Sequence, residues 1–265
     1  MSASLNAVLL QSPGALDGTA ARLSWLETQL NSAAGSLPDL VILPELFQCG
    51  YNIGAALHDV AEPRNGPFAT AVARLAKAYG TAIIYGYAER DGEKIDNSAL
   101  AIGPDGRVIG HHRKLLLPPG FEGDHFAPGD GCRLFDLGVF RVALLICYDV
   151  EFPETLRHVA LAGADLVVVP TALGAQWGIV AEKLVPTRAF ENGVFVAYAN
   201  HCGEENGLRY HGGSCLVAPD GRDLARAGGH AGAASATIEL AEVARAQARL
   251  PYHRDRARLA KAFRP

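Results

Sequence analysis

Short apolar runs alternate along the chain with longer stretches whose apolar residues recur at helical spacing. The run at 5–10 predicts a strand, and Leu23, Leu26 and Leu30 give a helix over about 19–32 its apolar face. The same two periods predict the further elements, which are strands over 39–43, 81–87, 98–102, 108–112, 139–146, 165–169 and 194–199 and helices over 68–79, 153–162 and 180–192. This alternation predicts an α/β protein. No linker rich in Ser, Gly or Pro divides it, so we expect one domain over residues 1–265.

The order of the predicted elements occurs twice. PDLVILPEL at 38–46 resembles ADLVVVPTA at 164–172, and SALAIGPDGR at 98–107 resembles SCLVAPDGR at 214–222. Each PDG predicts a turn, because Pro fixes φ at the first central position and Gly tolerates positive φ. The echo indicates two equivalent halves around a shared core, although α/β units also look alike by chance. In equivalent halves, Glu45 and Thr171 would follow corresponding strands.

Composition narrows the range of partners and cofactors. The formal charge is -4 at pH 7 and no basic run interleaves with aromatic residues, so we expect no nucleic-acid partner. No apolar run reaches the roughly 18 residues that span a bilayer, and no leader-like segment opens the chain, so we expect a cytoplasmic protein without membrane contact. Five scattered cysteines predict free thiols. The His and Cys residues between 201 and 215 lack zinc-site spacing, so neither a metal nor another cofactor is expected.

Three reactive residues stand where predicted strands end. Glu45 follows DLVIL, Lys114 follows the strand at 108–112, and Cys147 follows VALLI. Chemistry in α/β sheets gathers at the carboxyl ends of strands. Cysteine attacks as a thiolate and therefore needs a neighbouring base or cation. From the residues alone, Cys147 is either a nucleophile or a core thiol. A Cys–His hydrolase stays open as well, since nine histidines are available and none is singled out as a base.

The segments LPELF, HRKLLLP and ICYDVEFPE, in this order, resemble the three signatures of the nitrilase superfamily of carbon-nitrogen hydrolases. LAGADLVVVPTA, RAFENGVFVAYAN and GGSCLVAPDGR extend the resemblance over almost the whole chain and favour its amidase-like branch. One departure is Leu116, where relatives often have histidine. The resemblance implies a four-layer α-β-β-α sandwich with two pseudo-equivalent halves, and subunits that pair into a homodimer or larger homo-oligomer. The basic tail at 252–265 would either reach a neighbouring subunit or be solvated.

The resemblance also implies roles for individual residues. Cys147 would attack the amide carbon and form a thioester, and Glu45 would be the general base. Lys114, with the backbone N–H of Tyr148, would stabilise the oxyanion. Glu122, in the loop after the lysine, corresponds to a second glutamate that orients the lysine and the substrate amide.

The predicted substrate is a small uncharged carboxamide that is hydrolysed to a carboxylic acid and ammonia. Residues after the catalytic strands are predicted to line its pocket, namely Tyr51, Asn52, Phe121, Tyr148 and Trp177. No Arg or Lys stands beside Trp177, which favours an apolar acyl pocket. The alternatives are an omega-amidase, an N-carbamoyl hydrolase, which usually has Cys-Trp in place of this Cys-Tyr, or a Cys–His ester hydrolase. A silent binding subunit is disfavoured, because all three reactive residues are present.

Overall fold

Two sheets form the centre of the computed structural model, which describes residues 3–33, 35 and 37–262. Their strands, in chain order, are β1 (Ser4–Gln11), β2 (Leu40–Ile42), β3 (Ala82–Asp91), β4 (Lys94–Ile102), β5 (Val108–Arg113), β6 (Leu134–Leu137), β7 (Phe140–Leu144), β8 (Leu166–Pro170), β9 (Phe195–Ala199), β10 (Glu204–Glu205), β11 (Leu208–Arg209), β12 (Cys215–Val217), β13 (Asp223–Arg226) and β14 (Gly232–Glu239). In the described residues, one sheet has the order β14-β1-β2-β3-β4-β5 and the other β13-β12-β9-β8-β7-β6, while β10 and β11 form a small hairpin.

The described residues form eight α-helices, some of which cover the outer faces of the two sheets. They are α1 (Gly18–Ser32), α2 (Leu57–Val60), α3 (Pro67–Tyr79), α4 (Phe121–His125), α5 (Pro153–Leu161), α6 (Val185–Asn192), α7 (Leu240–Arg249) and α8 (Tyr252–Ala262). Short 3₁₀ turns lie at Gly54–Ala56, Cys147–Glu151 and Ala175–Trp177, and a π-helical turn at Val180–Leu184 precedes α6. Local sequence sets these boundaries. For example, α3 begins with Pro67 in its first turn and is followed by the capping residue Gly80, which has φ +63°.

The central strands are buried on both faces, which is why they are continuous apolar runs. In β2, Leu40 and Ile42 face the other sheet, whereas Val41 packs with Leu26 of α1 and Val72 of α3. Strand β8 divides its side chains in the same way between the sheet interface and the layer of α5 and α6. The layers therefore run helix, sheet, sheet, helix, and the predicted four-layer sandwich is confirmed.

The two sheets repeat one topology, as the sequence echo predicts. Strands β1, β2 and β3 are parallel and are followed by antiparallel β4 and β5, and the series β7, β8, β9, β12 and β13 has the same arrangement. The corresponding positions Glu45 and Thr171 meet between the sheets, where the Glu45 N–H donates to the Thr171 carbonyl at 3.4 Å. The segments that follow β2 and β8 thus face each other.

The structure departs from the predicted pattern at several elements. The helix predicted over 180–192 is a π-helical turn followed by α6, and the strand predicted over 139–146 is limited to Phe140–Leu144. The tail forms α8, whose Tyr252 ring lies 6.0 Å from that of Phe190, while 263–265 lie outside the described residues. The apolar pattern also fails to predict β6, β14, α4 and α7. Within the described residues, no helix has the length and apolarity to cross a membrane.

Gly86 in β3 allows the segment that carries Glu45 to lie directly against the sheet. The Gly86 N–H donates to the Pro44 carbonyl at 3.0 Å, and the Gln48 N–H donates to the Gly86 carbonyl at 3.1 Å. A Cβ at residue 86 would stand 2.6 Å from the Glu45 Cα, closer than any real contact of this kind. Only glycine leaves room for this crossing.

We expect Gly86→Ala to lower the free energy of unfolding by about 1–3 kcal/mol, because the added methyl forces the Glu45 segment off the strand. Urea unfolding followed by circular dichroism measures this. Gly131→Ala is the matched control, since a Cβ there would meet no heavy atom within 4 Å among the described residues. Equal urea midpoints for the two variants would contradict the close approach.

Candidate active site

Glu45, Lys114 and Glu122 form one buried cluster, with each side chain at most 1% exposed. The Lys114 Nζ donates to Glu45 Oε1 at 2.8 Å and lies 2.6 Å from both carboxylate oxygens of Glu122. Asn97, which the sequence patterns do not single out, bridges the two acids: its Nδ2 donates to Glu45 Oε1 at 2.7 Å and to Glu122 Oε2 at 3.2 Å. One ammonium and one amide therefore hold both carboxylates.

Strand pairing brings these residues together. Asn97 lies within β4, and Lys114 directly follows β5, the strand paired with β4. The Lys114 N–H donates to the Asn97 carbonyl at 2.8 Å, which continues the ladder by one step. Glu45 follows β2, and Glu122 lies on α4, in the Pro/Gly-rich loop after β5. The cluster thus joins segments that are up to 77 positions apart along the chain, from 45 to 122.

The second oxygen of Glu45 is free. Glu45 Oε2 is buried and has no hydrogen-bond partner within the part of the chain that the structure describes. Burial raises the pKa of Glu45 to about 7, against the lowering effect of the Lys114 charge, and the neighbouring Glu122 charge adds to the rise. A carboxyl group with this pKa can both accept and release a proton near neutral pH.

Lys114 remains an ammonium in this buried position. Burial by itself lowers the pKa of Lys114, but the charges of Glu45 and Glu122 outweigh that effect and the net pKa is raised. An unpaired buried lysine would instead lose its proton. The two acids therefore fix a positive charge inside the protein.

Cys147 begins the 3₁₀ turn Cys147–Glu151 at the end of β7 and has φ +42°, in the left-handed region. That conformation costs a non-glycine residue about 1–2 kcal/mol. It directs the residue to a cavity of about 580 Å³ that Glu122 also borders. Burial raises the pKa of the Cys147 thiol, the Glu45 charge raises it further, and Lys114 opposes both. The resting thiol is therefore protonated at neutral pH and needs a base to react.

Asp149 fixes the turn that carries the cysteine. Its Oδ1 accepts the N–H groups of Leu115 and Leu116 at 3.1 Å each, and its Oδ2 accepts the Ile146 N–H at 3.1 Å. The His112 Nε2 lies 3.0 Å from the same Oδ2. One buried carboxylate thus joins the cysteine turn to the backbone that follows the lysine. Asp149 is the aspartate of the CYD motif, so the sequence marks the residue, but the motif alone does not predict its hydrogen-bond partners.

His201 is placed to hold the Glu45 backbone. Its Nε2 lies 2.8 Å from the Glu45 carbonyl, which can only accept, so Nε2 carries the proton and Nδ1 accepts from the Ser12 hydroxyl at 2.9 Å. Burial, aided by the Arg22 charge, lowers the pKa of His201 to about 4, so the ring is neutral. Among the described residues, no histidine lines the cavity beside Cys147. This geometry favours Glu45 over a histidine as the base.

Three of the five predicted pocket residues, Tyr51, Tyr148 and Trp177, line the cavity. Asn52 does not, because its amide Nδ2 turns away to donate to the Asn206 carbonyl at 3.0 Å. Phe121 also lies outside the lining and packs its ring 5.5 Å from that of Tyr51. The two residues adjoin lining residues in the sequence, but their side chains support loops.

A buried ion pair, which sequence patterns do not reveal, holds the loop of Tyr51. Arg22 and Glu205 lie 3.1 Å apart and are 1% and 7% exposed. The Glu205 Oε2 accepts the backbone N–H groups of Tyr51 at 2.9 Å and Asn52 at 2.8 Å. The Tyr51 hydroxyl in turn donates to Glu122 Oε1 at 2.8 Å. The ion pair is thus connected to Glu122 of the cluster through Tyr51.

Comparisons with known proteins show which family the chain belongs to. The family model described as carbon-nitrogen hydrolase matches residues 9–248. A hydrolase in the pqqF 5′ region of Pseudomonas protegens is 46% identical over 72% of this chain and 68% of its own length. An (R)-stereoselective amidase from Pseudomonas sp. is 34% identical over 83% and 80%. The solved amidase of Nesterenkonia AN1, from the nitrilase superfamily, superposes with a TM-score of 0.87 at 30% identity, covering 98% of this chain and 97% of that one.

The chain therefore belongs to the carbon-nitrogen hydrolase family, within the nitrilase superfamily. It is a hydrolase acting on carbon–nitrogen bonds, and its relatives make it an amidase of that superfamily. The resemblance seen in the three sequence motifs is thereby confirmed.

We expect Asp149→Asn to lower the free energy of unfolding by about 1–3 kcal/mol, because an amide NH₂ must then face either the Ile146 N–H or the two donors at residues 115 and 116. Asp136→Asn is a control that makes the same chemical change at an exposed position of β6. Thermal and urea unfolding of both variants measure the difference. A loss of equal size in the two variants would show that the Asp149 contacts do not hold the turn.

Proposed function

We propose that this amidase hydrolyses a small carboxamide to a carboxylic acid and ammonia through a thioester on Cys147. The observation that carries the proposal is the free Oε2 of Glu45, which is buried. The other oxygen of the same carboxylate, Oε1, is held by Lys114 and Asn97. After burial, the charge of Glu45 is the next cause that raises the pKa of the Cys147 thiol. Glu45 is thus suited to take the thiol proton while its orientation stays fixed.

In the acylation step, Glu45 accepts the thiol proton as the sulfur of Cys147 attacks the amide carbon. The carbonyl oxygen becomes an oxyanion in a tetrahedral intermediate. Collapse of the intermediate breaks the C–N bond, and the departing nitrogen takes the proton from Glu45 and leaves as ammonia. A thioester and an ionised Glu45 remain.

Two groups stabilise the oxyanion. The backbone N–H of Tyr148 lies in the first turn of the 3₁₀ segment, where N–H groups have no partner within the helix. Lys114 contributes chiefly through its charge, since its Nζ protons already meet Glu45 and Glu122. A preorganised donor of this kind is worth about 2.7–4 kcal/mol in other hydrolases.

In the deacylation step, the same Glu45 removes a proton from a water molecule that attacks the thioester carbon. The second tetrahedral intermediate expels the thiolate, which recovers a proton from Glu45. Glu122 takes no proton in this scheme. It positions Lys114 and receives the Tyr51 hydroxyl, which keeps one wall of the cavity in place.

The size of the cavity and the relatives support a small amide as substrate. The cavity of about 580 Å³ lies in the range of sites for small molecules. Structures of the Nesterenkonia amidase include a complex with acrylamide and one with the acetamide moiety of fluoroacetamide joined to its active-site cysteine.

A single domain over 1–265, pairing of subunits and a cytoplasmic location stay predictions.

The thioester is tested by acid quench of the protein during turnover of butanamide, followed by intact mass spectrometry. We expect a mass increase equal to the acyl group less one hydrogen, absent in Cys147→Ala and retained in the control Cys132→Ala. Glu45→Gln should lower kcat by roughly 100-fold or more, because the base is lost. An adduct on Cys147→Ala, or full turnover by Glu45→Gln, would overturn the assignment and return a histidine to consideration as the base.

The pH dependence of kcat/KM reports the base. Since burial raises the pKa of Glu45 to about 7, its carboxylate becomes protonated as the pH falls through that value. We expect kcat/KM to be level above pH 7 and to fall about tenfold per unit below it, which initial rates of ammonia release between about pH 5 and 9 measure. A profile that stays level down to pH 5 would contradict Glu45 as the base.

A further inference from the structure

The cavity beside Cys147 contains a second acid that the proposed mechanism does not use. Glu151 ends the 3₁₀ turn that Cys147 begins, and it lines the cavity together with Gln176 and Trp177. Its backbone carbonyl accepts from Arg188 at 2.6 Å. Its half-buried carboxylate makes no hydrogen bond or ion pair to another residue in the described ranges. The acid therefore presents an unused negative charge to the cavity.

No positive side chain faces it within the cavity lining of the described chain. Lys114 is enclosed by Glu45 and Glu122 and is fully buried behind the lining. Arg188 directs its guanidinium at the carbonyls of Val150 and Glu151 and at the Glu191 carboxylate, 3.2 Å away. Neither cation is free to receive a carboxylate on a substrate. The cavity is thus electronegative.

The two acids of the cavity differ in what they can bind. Both oxygens of Glu122 are held by Lys114, and further donors come from Tyr51 and Asn97. Glu151 has both oxygens available, and it lines the same cavity as Trp177, which is 58% exposed. A free carboxylate and an exposed indole in one cavity are a favourable setting for an ammonium group.

We propose that Glu151 selects carboxamides whose acyl part carries a protonated amine, and disfavours those that carry a carboxylate. This inference rests on the amide hydrolysis proposed above and names its substrate class, which is cationic and not uncharged as the sequence favours, because Glu151 lines the cavity. The amide carbon lies at Cys147, and the ammonium lies one turn of 3₁₀ helix away, at the opposite end of the same five-residue segment. An omega-amidase substrate would place its free carboxylate against Glu151.

The electrostatics of Glu151 agree with this assignment. Burial raises the pKa of Glu151, while the charges of Lys114 and Arg188 act in the opposite direction without cancelling the rise. A bound ammonium group would offset the desolvation that burial imposes on the carboxylate.

Three amides of similar length test the proposal: β-alaninamide with a cationic end, butanamide with a neutral one and succinamate with an anionic one. We expect kcat/KM, measured by ammonia release near pH 7, to decrease in that order. Glu151→Gln should reduce the preference for β-alaninamide over butanamide by about tenfold. Glu151→Lys should shift the preference towards succinamate.

Glu154→Gln is the matched control, because it makes the same charge change at an exposed position of α5 outside the cavity lining. It should leave the order of the three amides unchanged. Wild-type protein that hydrolyses the three amides equally well, or a Glu151→Gln variant that keeps the full cationic preference, would overturn the inference and leave the amidase mechanism standing. Absence of ammonia from all three would count against the proposed function itself, and against this inference with it.

Discussion

A lysine ammonium buried between two carboxylates is the interaction on which the site depends. Removing Lys114 from water carries a penalty of several kcal/mol, which Glu45 and Glu122 offset at 2.8 and 2.6 Å. Two acids against one cation leave an excess negative charge in a dry environment. Burial raises the pKa of Glu45 to about 7 against the opposing charge of Lys114, and the charge of Glu122 adds to the rise. Burial and the second acid together therefore give a carboxyl group that can exchange a proton near neutral pH.

Much of the surrounding structure keeps this cluster and the cysteine in register. Asp149 holds the cysteine turn to the segment after the lysine, and His201 holds the carbonyl of Glu45. Gly86 lets the Glu45 segment lie against β3, and Glu205 holds the loop of Tyr51. Each contact joins segments distant in sequence, and the loss of a hydrogen bond at a buried position leaves a polar group unpaired. These contacts therefore tie the site to the sandwich around it.

The patterns along the chain predict most of the fold and the reactive residues, and they fail in recognisable places. Apolar runs identify the central strands because both faces of those strands are buried. The charged helix α8 has no apolar stripe to detect. Strand β14 consists mostly of small residues, and its partner strand β1 is far away in the sequence: the paired residues Asn6 and Thr237 are 231 positions apart. Sequence position also led to the prediction that Asn52 and Phe121 line the cavity. Their neighbours Tyr51 and Glu122 line it, but Asn52 and Phe121 themselves contact loops.

The sequence by itself determined the family, the two-fold repeat of the α/β units and the identity of the acid, the amine and the thiol, because these are written as local motifs and periods. Only the tertiary structure decided which oxygen of Glu45 is free, that Asn97 and Asp149 complete the site, and that Glu151 turns an unpaired charge into the cavity. The physical reason is that side-chain direction and hydrogen-bond partners depend on strand register and loop paths, which bring together residues that no local pattern connects.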